Sequence, residues 1–234
     1  MVFLYLLINL CSVVIPLGYS FEKKMRFIQW WKPTTAAIAL VAFPFLIWDV
    51  VFTSFGVWGF NPTYHMGITL WGLPLEELLF FFCIPYACLF THYAVCYFWK
   101  NLFLTRNVNN AVSVILFFVS ILVVFIHNNK LYTMVNFSLF ALCMLYARFY
   151  DQKVAPRFFI TWLVILLPFL LVNGLLTGSF IEGEVVWYNP EHMMGIRVFT
   201  IPLEDFFYTF NLLYPSLILF EKAQQKLRIR ESAT

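Results

Sequence analysis

Long apolar runs alternate with short polar joints along this chain. Runs able to cross about 30 Å of hydrocarbon fall at 2–20, 34–53, 76–98, 111–127, 131–147, 158–178 and 201–220. The pattern predicts seven membrane-spanning helices, joined without Gly/Ser linkers, and hence one compact membrane domain. The first run has no basic leader and no clear small-residue cleavage site, so it reads as a span rather than a signal peptide.

The polar joints fix a direction. Lys23, Lys24, Arg26, Lys32, Lys100, Arg106, Arg148, Lys153, Arg157, Lys222, Lys226, Arg228 and Arg230 fall on one side of such a threading; only Lys130 and Arg197 fall on the other. Basic residues stay cytoplasmic, so the N-terminus is expected outside and the C-terminus in the cytoplasm. Composition agrees. The chain is 62% hydrophobic and 12% charged, with a mean hydropathy of +0.81, more apolar surface than a soluble domain can hide. An integral protein of a bacterial-type cytoplasmic (inner) membrane is expected, with the lipid bilayer as a partner and no nucleic acid. The five cysteines lie in apolar stretches with no CxxC pair, which points to inert buried thiols rather than a metal or redox centre. His65 and His192 lack clustered ligands, and His92 reads as a satisfied polar contact.

The chain also repeats itself. LYLLIN (4–9) matches LYTMVN (131–136), and PFLIWDVVFT (44–53) matches PFLLVNGLLT (168–177). NPTYHMGI (61–68) then matches NPEHMMGI (189–196), and LPLEELLFFF (73–82) matches IPLEDFFYTF (201–210). The matched spans point the same way, so a fourth span must supply the extra crossing. The fold class is therefore all-α polytopic, a 3+1+3 parallel tandem repeat. Repeat A covers 1–100, a linker helix 101–128, repeat B 129–221, and a basic cytoplasmic tail 222–234.

Within the last block, Pro74 and Pro202 suit the first position of a helix. Glu76 and Glu77, and Glu204 and Asp205, then fall in first turns, where free N–H groups and the helix dipole favour negative charge. One acid would satisfy that need, yet each repeat has two. Aromatic faces follow them: Phe80, Phe81 and Phe82 in one half, Phe206, Phe207, Tyr208 and Phe210 in the other. Asp49 adds a carboxyl in the same layer, and its repeat partner is Asn173. Intramembrane acids are expensive and usually mark function. Two touching acids share their protons, leaving one as an acid and the other as a carboxylate, which equips a site for general acid–base chemistry. Aromatic faces stabilise cations, so such a site suits protonation of an alkene. Phe80, Phe81, Phe207, Tyr208 and Asp49 are the candidate substrate and cation contacts. Asn61 and Asn189 shape the outer loops; Trp58, Trp71, Tyr64, Trp187 and Tyr188 read as an interfacial aromatic belt. Arg197 is expected to pair with Glu204 or Asp205.

PLEELLF and PLEDFFY resemble the PxE(E/D)xxF motif of the membrane lycopene cyclases, which occur as two small subunits, as one fused chain, or as a domain of fungal bifunctional proteins. The resemblance covers essentially the whole chain and is closest to the fused form. It implies an intramolecular lyase or isomerase of carotenoid biosynthesis. Such an enzyme closes the acyclic ends of lycopene to β-rings without net redox change, giving β-carotene through carbocations. The family's motif roles carry onto Pro74, Glu76, Glu77 and Phe80, and onto Pro202, Glu204, Asp205 and Tyr208, where Tyr208 departs from the motif's Phe; on the cyclase reading Glu76 or Glu204 is the expected proton donor and Glu77 or Asp205 its partner. Lycopene or a related acyclic carotenoid is the implied partner, and association with other carotenoid enzymes is expected. No GxGxxG fingerprint occurs, so no tightly bound cofactor is expected. The other reading of a 3+1+3 topology is a small-solute transporter of the SWEET kind, but such a carrier needs polar groups near the midplane, and here the acids stand at the outer edge.

Overall fold

In a computed structural model describing residues 2–232, seven α-helices carry the described chain: α1 (Leu4–Tyr19), α2 (Trp31–Ser54), α3 (Leu75–Phe98), α4 (Arg106–Ile126), α5 (Leu131–Phe149), α6 (Ala155–Leu176) and α7 (Leu203–Ser232). Met1 of the first repeat and the last two residues of the basic tail lie outside the described residues, as do the side chains of Arg228 and Arg230. Five stretches are long and apolar enough to cross a bilayer: Phe27–Ser54, which extends α2 by a preceding turn, and helices α3 to α6. α1 is apolar but has 16 residues, about 24 Å at 1.5 Å per residue. α7 runs well past the apolar segment ending at 220, because the tail continues as helix.

Local chemistry sets several boundaries. The Thr105 hydroxyl caps α4, and Asp151 accepts from Val154 N and Ala155 N to start α6, satisfying N–H groups that a helix start leaves free. Pro74 is the residue before α3, not its first position: it sits in an extended conformation as the cap, and Leu75 begins the helix. The reason is its place in a strand. Short antiparallel pairs precede both acid-bearing helices, β2 (Thr69–Leu70) with β3 (Leu73–Pro74) and β5 (Arg197–Val198) with β6 (Ile201–Pro202). A further pair, β1 (Trp58–Phe60) with β4 (Val186–Tyr188), ties together the loops that follow α2 and α6 and sets Trp58 opposite Tyr188. Gly59 is required there, since a Cβ would lie 2.4 Å from the Trp187 ring.

α1 packs on α3 and α5 on α7, while α2 crosses to α7 and α3 to α6; α4 lies against α5. The main core is aromatic, built on Phe27, Phe90, Phe140, Phe158, Phe210 and Tyr214. At the other end of the helices the packing opens around the acids.

Candidate active site

Glu76 and Glu77 are neighbours in sequence but point about 100° apart around a helix, and this separates their surroundings. Glu76 is fully buried, and its Oε1 accepts from Met66 N at 2.7 Å. Its partner in repeat B does the same: Glu204 is fully buried and accepts from Met194 N at 2.7 Å. Thr133 Oγ1 adds a second donor to Glu204 at 2.6 Å. Asn9 donates to the Glu76 carbonyl at 2.8 Å and Asn136 to the Glu204 carbonyl at 2.6 Å. These first acids of each pair pin the preceding loop onto the helix start. Neither lines the cavity between α1, α3, α6 and α7.

The second acids do. A cavity of about 620 Å³ is walled by α1, α3, α6 and α7, and Asp49, Glu77 and Asp205 all line it. Glu77 accepts from the Tyr5 hydroxyl and lines the same cavity as Asp49. Two carboxyls can bond only if one carries a proton, because an ionised carboxylate has no donor. Asp49 Oδ1 also accepts from Trp58 Nε1 at 2.6 Å. Asp205 accepts from Tyr132 Oη at 2.6 Å, Asn173 Nδ2 at 2.7 Å and Tyr188 Oη at 3.0 Å. Three donors on one carboxyl suit an acceptor-only group. Burial first, and then the neighbouring Asp205, push the Tyr188 phenol well above its ordinary range, so it donates as a neutral hydroxyl.

The remaining candidates divide. Phe80 and Tyr208 line the cavity. Phe81 is buried in a cluster with Val41, Phe45 and Leu212, and Phe207 packs on Phe137 and Phe140; both face other packing. Asn61 and Asn189 cap matched turns by accepting from Thr63 N and Glu191 N at 3.0 and 2.9 Å. Trp58 and Tyr188 were expected in a surface belt. The β1–β4 pairing instead turns both inward, onto the carboxyls. Trp71 remains 74% exposed. Arg197 does not pair with an acid of the motif: it donates to the Thr200 carbonyl and lies 5.9 Å from the Tyr188 ring. His92 meets Thr161 Oγ1 at 2.7 Å. Among the described residues no cluster of three metal-type ligands occurs.

Sequence reasoning missed Tyr5, Tyr132, Trp58 and Tyr188 as partners of the acids. A signal for the first two was present: LYLLIN and LYTMVN share Leu, Tyr and Asn, and the Tyr and Asn of each block reach the acid-bearing helix of their own half.

A family model described as Lycopene cyclase matches residues 3–95 and 129–223, most of the chain in two segments. The match does not favour the transporter reading. No curated protein and no solved structure matches.

Proposed function

We propose, since the chain belongs to the lycopene cyclase family, that it closes β-rings at the acyclic ends of lycopene, giving β-carotene through a one-ring intermediate. The family is one of enzymes of carotenoid cyclisation, which makes a carotenoid the substrate and the bilayer its solvent. The finer steps are our reading. The chain spans the inner membrane seven times with the N-terminus outside, as repeats 1–100 and 129–221 joined by a linker helix, 101–128.

One observation carries the chemistry: Asp49, Glu77 and Asp205 meet in a single apolar cavity. The Asp49–Glu77 pair holds a proton between its carboxyls. It delivers that proton to the terminal double bond of the polyene, leaving a tertiary cation. The nearby internal double bond attacks the cation and closes a six-membered ring, moving the positive charge onto the ring. Asp205 takes a proton from the adjacent ring carbon, and the ring double bond forms. One proton enters, one leaves, and no electrons are consumed, so the scheme asks for no bound cofactor. The rings of Phe80, Tyr208 and Trp58 face the cation, where an aromatic face contributes about 0.5–2 kcal/mol. The reacting acids in this scheme are the second of each motif, not the first, because Glu77 and Asp205 line the cavity, whereas Glu76 and Glu204 do not and each accept from a loop N–H through one oxygen.

The test is expression in a lycopene-accumulating bacterium with pigments identified by chromatography. Glu77→Gln and Asp205→Asn keep side-chain shape, so both are expected to accumulate in the membrane. Each is expected to lose about 10²- to 10⁴-fold in ring formation, the usual contribution of a general acid or base. Wild-type yields of β-carotene in both variants defeat the scheme.

A further inference from the structure

The residues matched to the cavity's walls by the repeat build a filled cluster instead of a second cavity. The repeat alignment pairs Val172 with Trp48 and Thr209 with Phe81; extending the first matched block pairs Ser12 with Leu139. Val172, Thr209 and Ser12 line the cavity. Trp48, Phe81 and Leu139 pack together in one apolar cluster. The Trp48 ring lies 5.4 Å from Phe45 and 5.1 Å from Tyr208. Positions without a size change follow the same division: Ile165 and Phe169 wall the cavity, while their partners Val41 and Phe45 belong to the filled cluster. Three large-for-small exchanges, on three different helices, thus fill one side and empty the other. Close-packed interiors leave no room for a ligand.

The open side also faces lipid. Leu7 and Ile15 of α1 and Leu171 of α6 line the cavity while being 55%, 65% and 66% exposed. They lie along apolar helices, so their exposed faces meet hydrocarbon rather than water. The wall between α1 and α6 is a seam open to the side.

We infer that the chain holds one lipid-fed site, reached through the α1–α6 seam, with Val172, Thr209 and Ser12 making the room that Trp48, Phe81 and Leu139 remove at the repeat-related place. The occupant is a linear polyene hydrocarbon: the seam is apolar, and the acids gather at one end of the cavity. That identity rests on the cyclase reading. A substrate with two reactive ends is then served one end at a time, and the one-ring product returns to the lipid before its second end enters.

The experiment transplants the filling. Val172→Trp/Thr209→Phe and, separately, Ser12→Leu are expressed in lycopene-accumulating cells beside the wild type, with protein amount and thermal stability in detergent measured for each. The double variant is expected to lose at least about tenfold in ring formation per unit of membrane protein, and Ser12→Leu several-fold. If the double variant does not accumulate, Ser12→Leu decides alone. In wild-type membranes, labelled one-ring product is expected to exchange with added unlabelled one-ring carotenoid before the second ring closes. Wild-type rates in the filled variants, or a second ring closed without exchange, overturn the inference. A wild-type chain that forms no ring overturns the cyclase reading instead, so the two failures are distinct.

Discussion

The two halves build the same frame around different chemistry. In repeat A, Asp49 and Glu77 line one cavity, two acids and no amide. In repeat B the matched position is Asn173, which donates to Asp205 at 2.7 Å. One side-chain change, carboxyl to amide, gives the second acid of repeat B a donor that Asp49 does not offer Glu77 unless protonated. An amide N–H supplies the hydrogen itself; a second carboxyl cannot, and has to borrow one. The comparison teaches that a duplicated motif need not duplicate a role. The two halves share tyrosines, asparagines and helix starts, and differ at the residue matched between Asp49 and Asn173; in the proposed scheme, repeat A is the donor half and repeat B the acceptor half.

The largest effect should come from exchanging that residue. Asp49→Asn gives repeat A the partner that repeat B has. The proton between the carboxyls is lost, and ring formation is expected to fall about 10²-fold, the lower range of a general acid's contribution. Asn173→Asp is expected to fall about as far, since Asp205 must then share a proton and accepts another less readily. In the double exchange the roles change sides, and activity is expected to recover above either single variant. Pigment chromatography on the three variants reads all of this. Wild-type activity in Asp49→Asn breaks the comparison.

A smaller effect tests the acceptor half alone. Tyr188 is one of three donors on Asp205. Tyr188→Phe removes a hydrogen bond whose net worth is about 1–1.5 kcal/mol, so an approximately tenfold slower reaction is expected, with membrane accumulation unchanged. Tyr5, on Glu77, is the control in the donor half. If Tyr188→Phe costs nothing, the three donors do not hold the carboxylate that the scheme requires.

Much of this frame was legible in the sequence. The apolar runs located the helices to within about five residues, except the end of α7, which continues into the polar tail, because apolar helices satisfy their backbone internally and so declare themselves by length. The paired motif drew attention to Glu76, Glu77, Glu204 and Asp205. Which acid of each pair faces the cavity was not legible, since adjacent helical residues differ by about 100° in direction and both flanks are apolar. The roles of Trp58 and Tyr188 were hidden for a different reason. They depend on β1 pairing with β4, a contact between distant loops that no local periodicity encodes. Tyr5 and Tyr132 were visible as repeated letters, but an apolar helix with one tyrosine reads first as packing.

The smallest expected effect on catalysis separates the first acids from the second. Glu204 accepts from both Met194 N and Thr133 Oγ1. The position matched to Thr133 in repeat A is Leu6, and the only side-chain-to-backbone bond described for the Glu76 carboxyl is from Met66 N. The helix start of repeat B is therefore pinned by one more hydroxyl than that of repeat A. Thr133→Val preserves shape and removes the donor, leaving a fully buried carboxyl oxygen with the Met194 N–H alone. The cost of such a loss is about 1–3 kcal/mol, read as a lower melting temperature in detergent. Cyclisation at temperatures where the variant is folded should stay within about twofold of wild type, because Thr133 and Glu204 do not line the cavity. Leu6→Thr offers the converse, a hydroxyl brought to the matched place beside Glu76, and should leave cyclisation unchanged as well. If Thr133→Val instead abolishes ring formation while the fold and melting temperature hold, then Glu204 is in the reaction, and the division between first acids that anchor and second acids that react is wrong.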